Sequence, residues 1–239
     1  MRGEPADTVT SGGRPAPPGA RTAALAGEPH VPARWRRALL VALALALAGY
    51  AALAADLVHA GAVSELDADV TVRIAESMPT WAEWLARPFT WLGGVAGMTI
   101  VVTVATTALL RGGAVRAAVV LLVVTLGSQA LVLTAKQGYE RPRPDVGSPI
   151  DLPSSFSFPS GHATTGIAVF GLLGLYGAIL ARTRGWKVAA VIAGLALGVL
   201  IGASRIVLNV HFVGDVLAGF CLGLSWLGAC LLVTDMIRR

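Results

Sequence analysis

The sequence predicts an all-α integral membrane protein whose chain crosses the membrane six times. Of its 239 residues, 55% are hydrophobic and 14% are charged, and the mean hydropathy is +0.69. Soluble domains usually carry about 25% charged residues, so this composition excludes a soluble enzyme, a nucleic-acid-binding protein and a disordered chain. One crossing takes about 20 helical residues, and the apolar part of the chain leaves room for about six.

The chain divides into a polar tail and a membrane domain. Residues 1–33 are rich in Pro, Gly, Ala and Thr without apolar periodicity, which predicts a disordered cytoplasmic tail. Residues 34–239 form the predicted six-span domain. Its first apolar run, 38–55, follows three arginines and ends in a cleavable-looking Ala-Ala-Leu-Ala-Ala. A signal peptide is therefore an alternative, but the length and basic flank favour an uncleaved anchor.

Five further apolar runs follow a longer, mixed segment. Residues 56–90 contain several acids together with Trp81 and Trp84, and Trp91 follows them directly. This pattern is typical of a short amphipathic helix on the membrane surface followed by an interfacial aromatic anchor. The remaining predicted spans lie at about 91–110, 117–135, 163–181, 188–203 and 213–237.

The basic residues predict the orientation. With the connections assigned alternately to the two sides, the side of the N-terminal tail holds 13 of the 19 basic residues, and the other side holds 10 of the 14 acids. Because cytoplasmic loops carry the excess of Lys and Arg, we expect a plasma-membrane protein with both termini in the cytoplasm. The net charge of +5 reflects this loop bias rather than a nucleic-acid partner.

Three segments on the extracytoplasmic side concentrate chemically active residues. The first runs from Lys136 to Arg143 and Pro144, the second is Pro159-Ser160-Gly161-His162, and the third runs from Ser204-Arg205 through His211 to Asp215. Three cations without matching acids favour an anion, and guanidinium groups bind phosphate oxygens well. Ser160 and Gly161 stand where a helix begins, and helix N-termini also bind phosphate.

The two histidines are candidates for the reactive groups. His211 and Asp215 are four residues apart and share one face if the segment is helical. The carboxylate could then bond to one ring nitrogen, select the tautomer and leave the other nitrogen as a nucleophile. His162 has no carboxylate at this spacing and suits a general acid.

Each feature also has a plainer interpretation. Lys136 could extend toward the lipid headgroups, Arg141 and Arg143 could lie in a solvated turn, and Arg205 could pair with Asp215. The two histidines with Asp215 could hold a metal such as iron, although three nearby cations argue against this. A transporter or scramblase could use the cations only to bind headgroups. It would not need an acid and an oriented nucleophile.

The three segments together resemble the signature of the type 2 phosphatidic acid phosphatase superfamily. That signature reads K-x6-R-P, then P-S-G-H, then S-R-x5-H-x3-D, and this sequence matches every fixed position in order and spacing. The matching positions are Lys136, Arg143, Pro144, Pro159, Ser160, Gly161, His162, Ser204, Arg205, His211 and Asp215. The six-span layout is also similar, although the specific part covers only about 80 residues.

The resemblance implies roles for these residues. His211 would be the nucleophile that forms a phosphohistidine, His162 the acid for the leaving alcohol and Asp215 the group that orients His211. The phosphate-binding residues would be Lys136, Arg143, Ser160, Gly161 and Arg205. No metal and no other cofactor are implied. Tyr139, Glu140 and Arg141 lie outside the signature and are candidates for shaping substrate choice.

The expected function is hydrolysis of a phosphomonoester or diphosphate on a membrane lipid, at a site facing outward. Both phosphatidic acid and undecaprenyl diphosphate are compatible substrates, and the motif does not separate them. The alternative is the non-enzymatic transporter or scramblase described above. The expected partners are the lipid substrate and the bilayer, with no nucleic acid, and the sequence leaves the oligomeric state open.

Overall fold

The computed structural model describes residues 33–237, which form eight α-helices and contain no strand. The helices are α1 (Ala33–Val58), α2 (Ala62–Ser77), α3 (Thr80–Gly93), α4 (Val95–Arg111), α5 (Val115–Tyr139), α6 (Gly161–Leu180), α7 (Arg184–Val207) and α8 (Val213–Ile237). The predicted tail, residues 1–33, lies outside the described residues except for Ala33, the first residue of α1.

The prediction of an all-α membrane protein is confirmed, and the described helices provide five candidate spans, or six if one bent pair of helices counts as a single span. Helices α1, α5, α6, α7 and α8 are each long and apolar enough to cross a membrane. Helices α3 and α4 form this pair: they meet at a bend of 55° and are long and apolar enough to cross a membrane only together. The run predicted at about 91–110 corresponds to α4, and the preceding helix, which begins at Thr80 and ends before the break at Gly94, was not predicted as part of it.

The segment before this bend is also more deeply integrated than the sequence suggests. A single surface helix was expected within residues 56–90, but the structure has α2 and most of α3 there. Asp67 and Thr71 on α2 are buried, whereas Trp81 and Trp84 on α3 are both 66% exposed. The two tryptophans therefore lie on the outer surface, whereas the carboxylate of Asp67 on α2 is buried inside the protein.

Helix α6 forms the centre of the bundle and packs against α5, α7 and α8. Its closest approach is to α7, where small residues let the two backbones meet. A Cβ added at Gly194 would lie 2.3 Å from the carbonyl oxygen of Phe170, and one added at Gly198 would lie 2.7 Å from the Cα of Ile167. Helix α1 packs along α8. This arrangement places the start of α6 beside the ends of α5 and α7.

Candidate active site

The structure brings the three signature segments together at one end of the bundle. They are the C-terminal end of α5 with the loop after it, the N-terminal end of α6, and the loop joining α7 to α8. The backbone N–H of Ser160 donates to the carbonyl of Asp215 at 3.0 Å. In the loop after α5, the Ser148 hydroxyl donates to the carbonyl of Leu208 at 2.9 Å. These bonds tie residues that are far apart in the sequence into one site.

His211 and Asp215 form the pair that the spacing predicted. His211 Nδ1 lies 3.2 Å from Asp215 Oδ2, and the same oxygen accepts the backbone N–H of Phe212 at 3.1 Å. Their side chains are 3% and 0% exposed. Because Asp215 accepts from Nδ1–H, the lone pair of His211 is on Nε2. This is the arrangement that a nucleophilic imidazole requires.

The environment keeps His211 neutral. The pKa of its imidazole is lowered to about 4. Burial is the largest cause, the positive charges of Arg143 and Arg205 act in the same direction, and Asp215 acts in the opposite direction. Burial also lowers the pKa of the Arg143 guanidinium, which nevertheless stays charged in proteins. At neutral pH the site therefore pairs an uncharged histidine with a fixed cation.

Arg143 contacts this histidine from the loop after α5, and Lys136 at the end of α5 donates to the same loop. Arg143 NH1 lies 3.2 Å from His211 Nε2 and donates to the carbonyl of Val210 at 2.8 Å. Arg143 Nε donates to the carbonyl of Ser155 at 2.8 Å, and Lys136 Nζ donates to the carbonyl of Phe156. Neutral carbonyl oxygens thus accept hydrogen bonds from donors that are suited to phosphate oxygens. Arg143 therefore does not lie in a solvated turn, the plainer interpretation considered above.

Ser160 and Arg205 contribute polar atoms that are buried without a partner. Among the described residues, neither Ser160 Oγ nor Arg205 Nε has a hydrogen-bond partner, although the two residues are 0% and 3% exposed. Buried polar groups are nearly always paired, so unpaired groups of this kind indicate a binding site. Gly161 begins α6 at the same place. A cationic pocket with free donors suits an oxyanion.

His162 is held by the bend between α3 and α4. Its Nε2 donates to the carbonyl of Thr90 at 3.1 Å, and Arg205 NH1 donates to the Thr90 hydroxyl. A continuous helix would use that carbonyl for the N–H of Gly94, but this N–H bonds to Trp91 instead. The helix break therefore provides the acceptor that orients the candidate acid.

All eight predicted site residues lie at this end of the bundle, but the sequence missed two neighbours, Thr90 and Asp67, and assigned a third, Arg141, only to substrate choice. Thr90 orients His162, and Arg141 and Asp67 stand behind Asp215. Arg141 NH1 donates to Asp215 Oδ1 at 2.7 Å, so the carboxylate pairs with Arg141, rather than with Arg205 as the plainer interpretation had it. The R-P-R-P run pointed to Arg141 only weakly, and nothing local to Asp67 or Thr90 distinguished them.

The residues present do not assemble an obvious metal site. Within residues 33–237, no three His, Cys, Asp or Glu side chains converge in a way that could hold a metal ion. The one candidate set from the sequence, the two histidines with Asp215, is surrounded by cationic side chains that would oppose a bound cation. Metal independence stays a prediction.

Comparison with known proteins agrees with the site. A family model of the PAP2 superfamily matches residues 117–239, slightly more than half of the chain and all three signature segments. This chain belongs to the PAP2 superfamily. The predicted family is therefore confirmed, and α1 to α4 precede the matched PAP2 region.

Two curated PAP2 relatives have named activities. Phosphatidylglycerophosphatase B from Bacillus subtilis is 44% identical over 91 residues, which cover 37% of this chain and 44% of that protein. Decaprenylphosphoryl-5-phosphoribose phosphatase from Mycobacterium tuberculosis is 35% identical over 100 residues, covering 40% and 49%. The chain thus aligns with less than half the length of each curated relative.

A solved PAP2 structure matches over a larger range. The crystal structure of a transmembrane PAP2 type phosphatidylglycerolphosphate phosphatase from Bacillus subtilis superimposes with a TM-score of 0.73 at 26% sequence identity. The match covers 82% of this chain and 98% of that chain. The likeness therefore extends beyond the family-model region to most of the bundle.

Proposed function

We propose that this protein is a lipid phosphate phosphatase that hydrolyses a phosphomonoester or diphosphate on a membrane lipid through a phosphohistidine. The observation that carries the proposal is the His211 geometry. A buried imidazole has its Nδ1 held by Asp215 and its Nε2 facing the cation Arg143. The orienting carboxylate and the anion-binding cation thus contact the two nitrogens of one imidazole ring, which binding alone would not require.

The proposed reaction has two steps. In the first, His211 Nε2 attacks phosphorus, the bond to the lipid oxygen breaks, and His162 donates a proton to the departing oxygen. In the second, His162 takes a proton from water, whose oxygen attacks phosphorus and breaks the P–N bond, releasing inorganic phosphate. Lys136, Arg143 and Arg205 stabilise the charge on the phosphoryl oxygens in both steps, with Ser160 and the first amides of α6.

To bind Arg143 and Lys136, phosphate would replace their present acceptors, whereas Arg205 Nε has none among the described residues. Arg143 donates to carbonyl oxygens of the loop after α5 and toward His211 Nε2, and Lys136 donates to the same loop. Charged phosphate oxygens form stronger bonds to guanidinium than neutral carbonyls do. The exchange would also free the lone pair of His211 for attack.

The substrate class follows from the chemistry and from the relatives. A site at one end of a membrane bundle is suited to a lipid whose phosphate lies at the interface, and the relatives are named for a phosphatidylglycerophosphate and a polyprenyl-linked phosphoribose. Both glycerol-based and polyprenyl phosphates are therefore proposed substrates. We place the site on the extracytoplasmic face of the plasma membrane, and both termini in the cytoplasm, because the opposite end of the bundle holds Arg111, Arg116, Arg182, Arg184 and Lys187.

The test is phosphate release in detergent from a panel of lipids, with excess chelator present. The panel comprises phosphatidic acid, phosphatidylglycerol phosphate, diacylglycerol diphosphate, undecaprenyl diphosphate and decaprenylphosphoryl-5-phosphoribose. We expect turnover of at least one lipid, no need for a divalent metal, inhibition by vanadate and no turnover by His211→Ala. Activity that disappears with chelator and returns with magnesium would refute the mechanism. Lipid movement across vesicles without phosphate release would favour the transporter.

A further inference from the structure

A buried ion network behind the candidate nucleophile is not explained by the signature. It consists of Asp67, Arg141 and Asp215, whose side chains are 4%, 10% and 0% exposed. The three residues come from α2, the loop after α5 and the first turn of α8. Only Asp215 belongs to the signature, so the other two residues need a separate reason to be here.

Arg141 binds the side of Asp215 that His211 does not use. Asp215 Oδ2 accepts from His211 Nδ1 and from the amide of Phe212, whereas Oδ1 accepts from Arg141 NH1 at 2.7 Å. The Arg141 guanidinium also lies over the Phe212 ring at 4.0 Å, a favourable cation–π distance. Both carboxylate oxygens are thereby held, and the plane of the group that orients His211 is fixed.

Asp67 holds Arg141 and the start of α8 at once. Its Oδ2 accepts from NH1 and NH2 of Arg141 at 3.1 Å each, and its Oδ1 accepts the backbone N–H of Gly214 at 2.9 Å. A Cβ at Gly214 would lie 2.7 Å from Asp67 Oδ2, so the close approach needs glycine. Asp67 therefore ties Arg141 to the turn that carries Asp215.

The charges of the network suit this role. Burial raises the pKa of Asp67, although the bonds from Gly214 and Arg141 act in the opposite direction. Two buried carboxylates close together need a cation between them, and Arg141 supplies it. A charged Asp215 accepts a hydrogen bond from the Nδ1–H of His211, and the proton stays on Nδ1. The nucleophilic lone pair is therefore kept on Nε2.

We propose that Arg141 is a positioning residue that fixes Asp215, and through it His211, and that Asp67 anchors Arg141 from α2. This inference rests on the proposed function. It also replaces the expectation that Arg141 shapes substrate choice, because its guanidinium is directed at two buried carboxylates. Arg141 acts through Asp215 and makes no contact with His211 in the hydrogen bonds of the described residues.

The proposal predicts a change in kcat without a change in KM. Arg141→Met should lower kcat about 10- to 100-fold, by analogy with the loss seen when the group that orients a metal-bound histidine from behind is removed. It should leave KM within about threefold. Arg141→Lys should be intermediate, because one ammonium cannot bind both carboxylates as a guanidinium does. Two exposed positions on α2 provide matched controls, Arg73→Met and Asp69→Asn, and both should behave as wild type.

A double variant separates positioning from simple stabilisation. Arg141→Met leaves two uncompensated buried carboxylates and should lower the melting temperature. Adding Asp67→Asn removes one of those charges, so stability should return toward that of the wild type while kcat stays low. A kcat that recovers together with stability would show a structural role only and overturn the proposal. So would a raised KM with unchanged kcat in Arg141→Met, which would indicate a substrate contact.

The remaining outcomes also support or overturn the proposal. If the double variant stays unstable, the kcat of the folded Arg141→Lys variant is the test. A wild-type kcat in Arg141→Lys overturns the proposal. A wild type that releases phosphate from no lipid refutes the proposed function, and this inference with it. An active wild type whose kcat survives Arg141→Met refutes this inference alone.

Discussion

His162 and His211 occupy different environments, so replacing each of them should reduce activity in a different way. Asp215 holds His211 from behind, whereas His162 is held by a backbone carbonyl. We expect His211→Ala to abolish turnover of every substrate. General acid catalysis typically contributes about 10²- to 10⁴-fold, so His162→Ala should lose about that much with a lipid alkyl ester. It should lose much less with p-nitrophenyl phosphate, whose leaving group is a stable anion.

The measurement is the ratio of variant to wild-type rate on each substrate. Asp215→Asn serves as the control, because a misoriented His211 should impair both substrates alike. Equal ratios for His162→Ala on the two substrates, together with residual turnover by His211→Ala, would mean that the two roles are assigned to the wrong residues.

The burial of His211 also makes a prediction about pH. Its pKa is lowered to about 4, compared with about 6.5 for an unperturbed histidine. Between these values the unfolded ring binds a proton and the folded ring does not, so this group's contribution to stability is present above about pH 6.5 and declines toward pH 4. The nucleophile should stay largely neutral until the pH approaches 4.

Nitrogen-15 NMR of labelled histidine in detergent can measure this titration, with His211→Gln to assign the signal. We expect a midpoint near pH 4. The thermal stability of His211→Gln should fall less steeply than that of wild type as the pH drops from 6.5 to 4. A midpoint near 6.5 would show that the ring is solvated and would remove the reason for a permanently neutral nucleophile.

Among the helices, the bend between α3 and α4 has a direct effect on the site. It frees the Thr90 carbonyl for His162, and the Thr90 hydroxyl accepts from Arg205. Thr90→Val removes only the hydroxyl and leaves Arg205 without that acceptor. Hydrogen bonds to charged groups contribute about 1.5–3 kcal/mol, so we expect vanadate inhibition to weaken by about 10- to 100-fold.

Thr90→Ser is the matched control. It keeps the hydroxyl, so vanadate should inhibit this variant as strongly as it inhibits the wild type. In both variants, the rate on the lipid divided by the rate on p-nitrophenyl phosphate should equal the wild-type value, because the carbonyl that orients His162 is unchanged. If Thr90→Val alters that ratio but not vanadate inhibition, then the hydroxyl serves His162 and our assignment to Arg205 is incorrect.

For the whole molecule, the predicted orientation can be tested with single cysteines. Asp145 in the loop after α5 and Thr183 before α7 are both exposed and should face opposite sides of the membrane. In a background with Cys221→Ala and Cys230→Ala, we expect an impermeant maleimide to label Asp145→Cys in intact cells. It should label Thr183→Cys only after permeabilisation. The reverse pattern would invert the topology.

Much of this architecture was predictable because it depends on local composition and order. The charge deficit and the apolar runs indicate a membrane bundle, since each span must satisfy its backbone hydrogen bonds within one helix. Alternate connections return to the same side, which brings the loops after α5 and α7 and the start of α6 to one face. The pairing of His211 with Asp215 follows from a separation of four residues and needed no knowledge of distant contacts.

Only the tertiary structure decided what surrounds that pair. Arg141 lies 74 residues from Asp67 and 74 residues from Asp215, and Asp67 lies 147 residues from Gly214. Likewise, the carbonyl of Thr90 is available to His162 because a helix breaks at Gly94. Whether a carboxylate becomes buried beside an arginine depends on how α2 packs over the start of α8. This packing cannot be predicted from the periodicity or the residue spacing within α2 or α8 alone.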